Sequence, residues 1–213
     1  MKIDNFKVYD IGESIVASGF PMAAEYNKDN FLGKILCFVA NEDGRKRWFS
    51  ETAIRESDDF KRACKLANNP SGSGHCNFLS GVLVSANVTA TIKWWHQFER
   101  YHFAQIVSSM STMHRLKRMV EFGECRFNDK TSEACINAFR NNSIDGSGNI
   151  NVDEETLAYS CPLGIELTAR IATNYLQLKT IYHQRKDHKL QEWRDFCEWI
   201  KSLPFAKEFI TGD

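Results

Sequence analysis

Ile165-Glu-Leu-Thr-Ala-Arg-Ile-Ala-Thr173 alternates without a break, with Glu166, Thr168 and Arg170 on one side and Leu167, Ala169 and Ile171 on the other. Successive side chains of a strand point to opposite faces, so this run is a half-buried strand with one apolar and one polar face. Pro162 precedes it. Directly after it, Thr173 or Asn174 can cap a helix in which Leu178, Ile181 and Tyr182 recur at helical spacing. Lys189 to Ser202 reads as a last helix, ended by Pro204.

Upstream, Trp94-Trp-His-Gln-Phe-Glu-Arg100 continues into Tyr101-His102 and then Ser108-Ser109-Met110-Ser111 and His114-Arg115. At helical spacing Trp94, Phe98 and Tyr101 form one stripe, leaving His96, Gln97, Glu99, Arg100 and His102 on other faces. Thr89 or Thr91 caps this helix, which runs through Arg100. Arg and His donors beside serine hydroxyls suit an anionic ligand, because charge-assisted hydrogen bonds are the strong ones. The alternative is an amphipathic helix with a solvated face.

Phe6 to Val16, Ile35 to Ala40 and Phe78 to Val88 read as strands, the second running into Asn41-Glu-Asp-Gly44 as the start of a hairpin. Ser50 to Leu66 reads as a helix stopped by Asn68-Asn-Pro-Ser-Gly-Ser-Gly74, whose glycines permit positive φ and a close backbone approach to a ligand. Strands separated by helices, with a helical C-terminal third, give an α/β (α+β) fold, a mixed sheet with flanking helices, in a single domain over residues 1–213.

Lys plus Arg and Asp plus Glu are 27 each, so no global field draws the chain to nucleic acid or to an anionic membrane. No signal peptide or membrane-spanning run is visible, which points to the cytoplasm. Seven scattered cysteines without a Cys-x-x-Cys pair read as reduced thiols, with Cys76 and Cys161 as the two nucleophile candidates. No metal site is expected from them. Ser143 to Glu154 follows EF-hand spacing, with Asp145, Gly148, Ile150 and Glu154 at the third, sixth, eighth and twelfth positions. Helical segments 132–141 and 153–158 flank it, yet Ser143 holds the first position, where a carboxylate should anchor calcium. A glycine-rich turn between two helices is the competing reading.

Pro162, Asn174, Arg185 and Gln191, set in a strand-to-helix frame, resemble the flavin-dependent thymidylate synthases. Gly74-His75-x-x-Phe78 and Gln97-x-x-Arg100 are similar to that family's Gly-His-x-x-Pro-Phe and Gln-x-x-Arg-His-Arg motifs. The sequence departs from the pattern at Tyr101 and His102, where the signature has His and Arg. It departs again at Met110, flanked by Ser109 and Ser111, where a Ser is expected. Leu176 and Ala158 stand where the family has a cofactor-contacting Arg and a phosphate-gripping Arg. A hydrogen bond to a charged group contributes roughly 1.5–3 kcal/mol, so losing both arginines would cost about a few thousandfold in affinity unless His114, Arg115 or Arg170 compensates.

The resemblance implies transfer of a one-carbon unit from methylenetetrahydrofolate to C5 of a pyrimidine nucleotide, dUMP or an analogue, with FAD reduced by NADPH. It implies that Arg185 orients and activates the base, that His75, Arg100, His102 and Asn174 hold FAD, and that Gln97, Ser109 and Ser111 bind nucleotide with Arg185. It also implies a homotetramer. Two other readings stay open, a re-purposed or non-catalytic relative with another small ligand and a calcium-responsive interaction module built on residues 143–154.

Overall fold

The computed structural model describes residues 1–23, 51–70, 73–147 and 149–212. Its elements, in chain order, are β1 (Lys2–Tyr9), α1 (Ile11–Ala17), α2 (Glu51–Glu56), α3 (Asp58–Ala67), β2 (Leu83–Thr91), α4 (Ile92–Phe98), β3 (Gln105–Ser109), α5 (Thr112–Glu121), α6 (Glu133–Ser143), α7 (Glu154–Ser160), β4 (Glu166–Asn174), α8 (Tyr175–Arg185) and α9 (Gln191–Lys201). A short π-helical turn, Lys207–Thr211, follows. The expected run Ile35 to Ala40 lies outside the described residues.

The described strands make one sheet in the order β1-β2-β4-β3, with every neighbouring pair antiparallel. β2 and β4 are the interior strands, each hydrogen-bonded along both edges. Leu167, Ala169, Ile171 and Thr173 are buried, while Glu166, Thr168, Arg170 and Asn174 are half-exposed. β2 repeats the pattern, and its Val84, Ala86, Val88 and Ala90 join the same apolar face. Helices α1, α3, α4, α8 and α9 cover that face and build the main core around Trp94, Trp193, Phe98 and Phe196. A second, smaller core joins α5, α6 and α7 to Ile165 and Leu167 at the start of β4.

The other face of the sheet is polar and cross-linked. Thr89 and Thr168 hydroxyls meet at 2.7 Å. Arg170 lies across two strands, donating to Asn87 Oδ1 at 3.0 Å, to Ser85 Oγ at 2.6 Å and to the Asn5 carbonyl at 2.7 Å. Asn5 sits in the left-handed region, φ 47°, at an irregularity in β1. Asn tolerates that conformation at little cost.

Four boundaries differ from the sequence reading, each for a local reason. Phe6 to Val16 is the end of β1 and then α1, because Ile11, Ser14 and Ile15 are buried at helical spacing after a left-handed turn at Asp10. Ser50 to Leu66 is two helices divided at Ser57, whose hydroxyl accepts from Phe60 N at 3.2 Å and starts α3 afresh. Phe78 to Val88 begins with a 3₁₀ turn over Asn77–Gly81, and the strand starts only at Leu83. The helix expected through Arg100 stops at Phe98 and gives way to a turn and then to the edge strand β3.

Candidate functional site

Two sequence-selected residues, Gln97 and Arg185, are brought together by the packing of α8 and α9 against α4. Thr91 caps α4 by accepting from Trp94 N at 3.2 Å, and the buried Glu192 carboxylate grips Thr91 through its N–H at 2.8 Å and its hydroxyl at 2.7 Å. This fixes α9 on α4. The next residue, Trp193, is fully buried and donates its indole N–H to Gln97 Oε1 at 2.8 Å.

Arg185 closes the arrangement from the end of α8. Its Nε donates to the Tyr101 hydroxyl at 2.8 Å, and that hydroxyl donates in turn to Gln184 Oε1 at 3.0 Å. Arg185 Nη1 lies 3.5 Å from Gln97 Oε1, and the guanidinium stands 4.6 Å from the Trp193 ring centroid and 5.7 Å from that of Tyr101. A cation over an aromatic face is stabilised by the ring quadrupole, most strongly for Trp. Beside it, burial and then the charges of Arg185 and Arg194 hold the His188 imidazole below its usual pKa, and its Nδ1 accepts from Leu190 N at 3.1 Å.

The remaining candidates lie on the cap of α8 and on two loops. Asn174 caps it, accepting from Gln177 N at 2.9 Å through Oδ1. Arg100 and His102 are exposed on the turn after α4, which is tied to β4 by the Thr173 hydroxyl donating to the Phe103 carbonyl at 2.9 Å. His75 is exposed just after Gly74, whose φ of 80° uses the freedom expected of that loop. The 3₁₀ turn that follows His75 packs on α8, so this loop borders the same helix.

Ser109 and Ser111 lie elsewhere in the chain. Ser109 pairs with Ala169, five residues before Asn174 along β4, which at about 3.3 Å per residue is roughly 16 Å away. Ser111 caps α5, accepting from His114 N at 3.3 Å. The cations considered for the missing arginines divide in the same way. Arg170 is committed to the sheet, whereas His114 and Arg115 are exposed on α5.

Several residues of the arrangement escaped the sequence reading. Tyr101 was read as part of a buried stripe and as a departure from the signature, and Trp193 and Gln184 were not singled out. The available signal was chemical, since a buried Trp or Tyr needs a partner for its polar atom. A cavity of about 670 Å³ opens on the polar face of the sheet, between Lys2, Asp4, Thr89, Thr168, Met119 and Arg126. None of the sequence-selected site residues lines it.

The thiol and calcium expectations fare differently. Cys76 is buried in the main core, and burial pushes the Cys161 thiol up to about 12, which leaves neither poised as a nucleophile. Ser143 is buried and donates to the Phe139 carbonyl at 2.6 Å, so the first calcium position is turned back into its own helix. Asp145 Oδ1 accepts from Ser147 N and Asn149 N at 2.9 Å each, and Ile144 bridges to Ile150. Those bonds make the segment a closed turn between α6 and α7. Among the described residues no three His, Cys, Asp or Glu side chains are grouped to hold a metal ion, and no helix is long and apolar enough to cross a membrane.

No protein-family model and no curated protein matches this sequence. Solved structures do. A flavin-dependent thymidylate synthase from Helicobacter pylori, complexed with FAD and dUMP, superposes with a TM-score of 0.66 at 13% identity, covering 99% of this chain and 97% of that one. A second structure of a thymidylate synthase of this kind from the same organism, also with FAD and dUMP, gives 0.57 at 14% identity over 75% of this chain and 86% of its own. The chain thus has the fold of flavin-dependent thymidylate synthase over nearly its whole length.

Proposed function

We propose that this chain binds a pyrimidine nucleotide beside FAD and transfers a one-carbon unit to C5 of its base. The observation that carries the reading is the convergence of Gln97 and Arg185. They are 88 residues apart in sequence, both selected by the resemblance, and Arg185 Nη1 faces Gln97 Oε1 on a half-exposed surface at the end of α8.

Arg185 is the residue that orients the base. Its guanidinium is permanently charged and planar, and with Nε held by Tyr101 it keeps Nη2 for a ligand among the described contacts. A cation held in this way stabilises negative charge that develops on a pyrimidine ring. Gln97 supplies a neutral donor next to it. The donor set around Asn174 suits a flavin nucleotide. Arg100 and His102 offer exposed nitrogen donors to its phosphates, Phe103 is a 70% exposed aromatic beside them, and Asn174 retains its amide N–H groups after capping α8. His75 lies on the loop that leads into the 3₁₀ turn packed on α8. Bound FAD, reduced by NADPH, would supply the hydride chemistry, with methylenetetrahydrofolate as the one-carbon donor. The chain's own residues hold the base and keep a fixed positive charge at its edge.

Ser109 and Ser111, with His114 and Arg115, belong to the nucleotide's phosphate in this reading, contributed to the site of a neighbouring subunit in a homotetramer. Support comes from the apolar surface along β3, where Phe103, Val107 and Met113 are 70%, 62% and 44% exposed. Surface of that kind marks an interaction face. A second reading, a relative that keeps the fold for another small ligand, is favoured by the commitment of Arg170 to the sheet and by Ala158 and Leu176 in place of two arginines. Titration with FAD separates them. The first reading requires a yellow complex whose flavin absorbance shifts when dUMP is added, and a chain that takes up no FAD contradicts it.

A further inference from the structure

We propose that the cavity on the polar face of the sheet binds a free α-amino acid with an uncharged side chain, its carboxylate on Arg126 and its ammonium on Glu166. The proposal stands apart from the nucleotide reading, because none of the residues assigned to that site lines this cavity.

Strand alternation aims both side chains at the cavity. Glu166 N donates to the Arg126 carbonyl at 2.9 Å and Asn128 N to the Gly164 carbonyl at 2.9 Å, so the segment around Phe127 runs antiparallel to the start of β4. Arg126 thus stands opposite Glu166. Phe127 and Ile165 turn inward to the second core, where the Phe127 ring lies 6.2 Å from that of Phe139. Their neighbours Arg126 and Glu166 therefore turn to the other face, the one that carries Thr168 and Thr89. Facing residues of an antiparallel pair hold their Cβ atoms about 4.5–5.5 Å apart. Despite that proximity, among the described contacts neither side chain forms an ion pair or a hydrogen bond, with the other or with any third residue. Lys2, the other side-chain cation of the cavity, is already held by Asp4 at 2.8 Å.

A guanidinium and a carboxylate side by side match a ligand with one charge of each sign a few atoms apart. An α-amino acid is such a ligand, since its ammonium and carboxylate share one carbon. The planar guanidinium can take the carboxylate through two parallel bonds, and Glu166 accepts from the ammonium. A simple anion would meet Glu166 and the exposed Glu124 beside it, and a simple cation would meet Arg126, so each is opposed by the site. The rest of the cavity suits an uncharged side chain. Lys2 and Asp4 neutralise each other, and Met119 and Met110 offer adaptable apolar surface, the Met110 sulfur lying 3.4 Å from Thr168 N. The Thr89 and Thr168 hydroxyls share one bond of 2.7 Å, which uses only one of their two protons. A volume of about 670 Å³ falls within the roughly 300–1,000 Å³ of small-molecule sites and excludes no amino acid by size.

The test is isothermal titration calorimetry of the full chain with L-methionine, L-leucine and L-phenylalanine, as wild type, as Arg126→Gln and as Glu166→Gln. At least one of the three should bind wild type with a Kd below about 1 mM. Each substitution removes one charged partner and should weaken that binding by about tenfold or more. Two analogues of methionine ask the same question of the unaltered chain, which keeps the test decisive if a variant does not fold. Methioninol lacks the carboxylate and desamino-methionine lacks the ammonium, and each should bind at least about tenfold more weakly than methionine or the corresponding amino acid. No heat from any of the three amino acids at concentrations up to about 10 mM overturns the proposal. So does binding that both substitutions, or both analogues, leave unchanged.

Discussion

Replacing Glu192 by Gln removes one charge and almost no volume, which makes it a clean probe of how α9 is fastened to α4. The carboxylate is 3% exposed and accepts two bonds from Thr91, at 2.8 Å from N and 2.7 Å from Oγ1. Hydrogen bonds to a charged group contribute roughly 1.5–3 kcal/mol each, against about 1 kcal/mol for a neutral pair. In Glu192→Gln one bond becomes neutral and the other brings the new NH₂ against a Thr91 donor. The hydroxyl can rotate to accept, but it is also the acceptor for Trp94 N and so keeps only part of that freedom. The expected loss is about 2–4 kcal/mol, a large share of the roughly 5–15 kcal/mol by which domains are stable. At about 2–4 °C per kcal/mol for a chain of this length, Tm should fall by roughly 4–16 °C in a circular-dichroism melt. A Tm within about 1 °C of wild type would refute the claim that this buried carboxylate joins the two helices.

Gly164→Ala should lower Tm as well, by about 2–12 °C for a cost of roughly 1–3 kcal/mol. Its new Cβ would stand 1.9 Å from Thr131 Oγ1 and 3.0 Å from Thr131 Cβ, while Thr131 N is bonded to the Asn128 carbonyl at 2.8 Å. Rescue by Thr131→Gly in the same chain checks the cause. Cys161 and Cys197, both pushed up to about 12 by burial, should resist alkylation of the folded protein at pH 8 while the exposed Cys135 reacts. Mass mapping of the modified thiols reads this out, and prompt labelling of Cys161 would contradict it. His188 is held below its usual value of 6.5, so the unfolded chain takes up a proton that the folded chain resists. Its contribution to stability is therefore present above pH 6.5 and is lost as pH falls through the depressed folded value. The Tm difference between wild type and His188→Gln should narrow below pH 6.5, and a constant difference would exclude the effect.

β4 was legible because burial of a single sheet face writes itself into sequence as alternation, and Leu167, Ala169 and Ile171 are indeed the buried set. β3 was not. As an edge strand it is almost wholly exposed, so Gln105 to Ser109 carries no period to read. The first helix was misread because β-branched Ile11, Ile15 and Val16 favour a strand locally, while tertiary burial on a helical stripe decided otherwise. Within the site, Asn174 was legible as a cap and Arg185 through the resemblance. Trp193 was hidden, since its hydrogen bond to Gln97, 96 residues away, is encoded by no local pattern.

The central claim is that a pyrimidine nucleotide meets Arg185 and Gln97 beside a flavin. A crystal structure of the chain soaked with FAD and dUMP tests it most directly. The account predicts the uracil edge within hydrogen-bonding distance, about 2.7–3.2 Å, of Arg185 and of Gln97 Nε2, with the flavin near Asn174 and His102. Nucleotide bound in the cavity on the polar face of the sheet, with Arg185 still turned only to Tyr101 and Gln97, would contradict it.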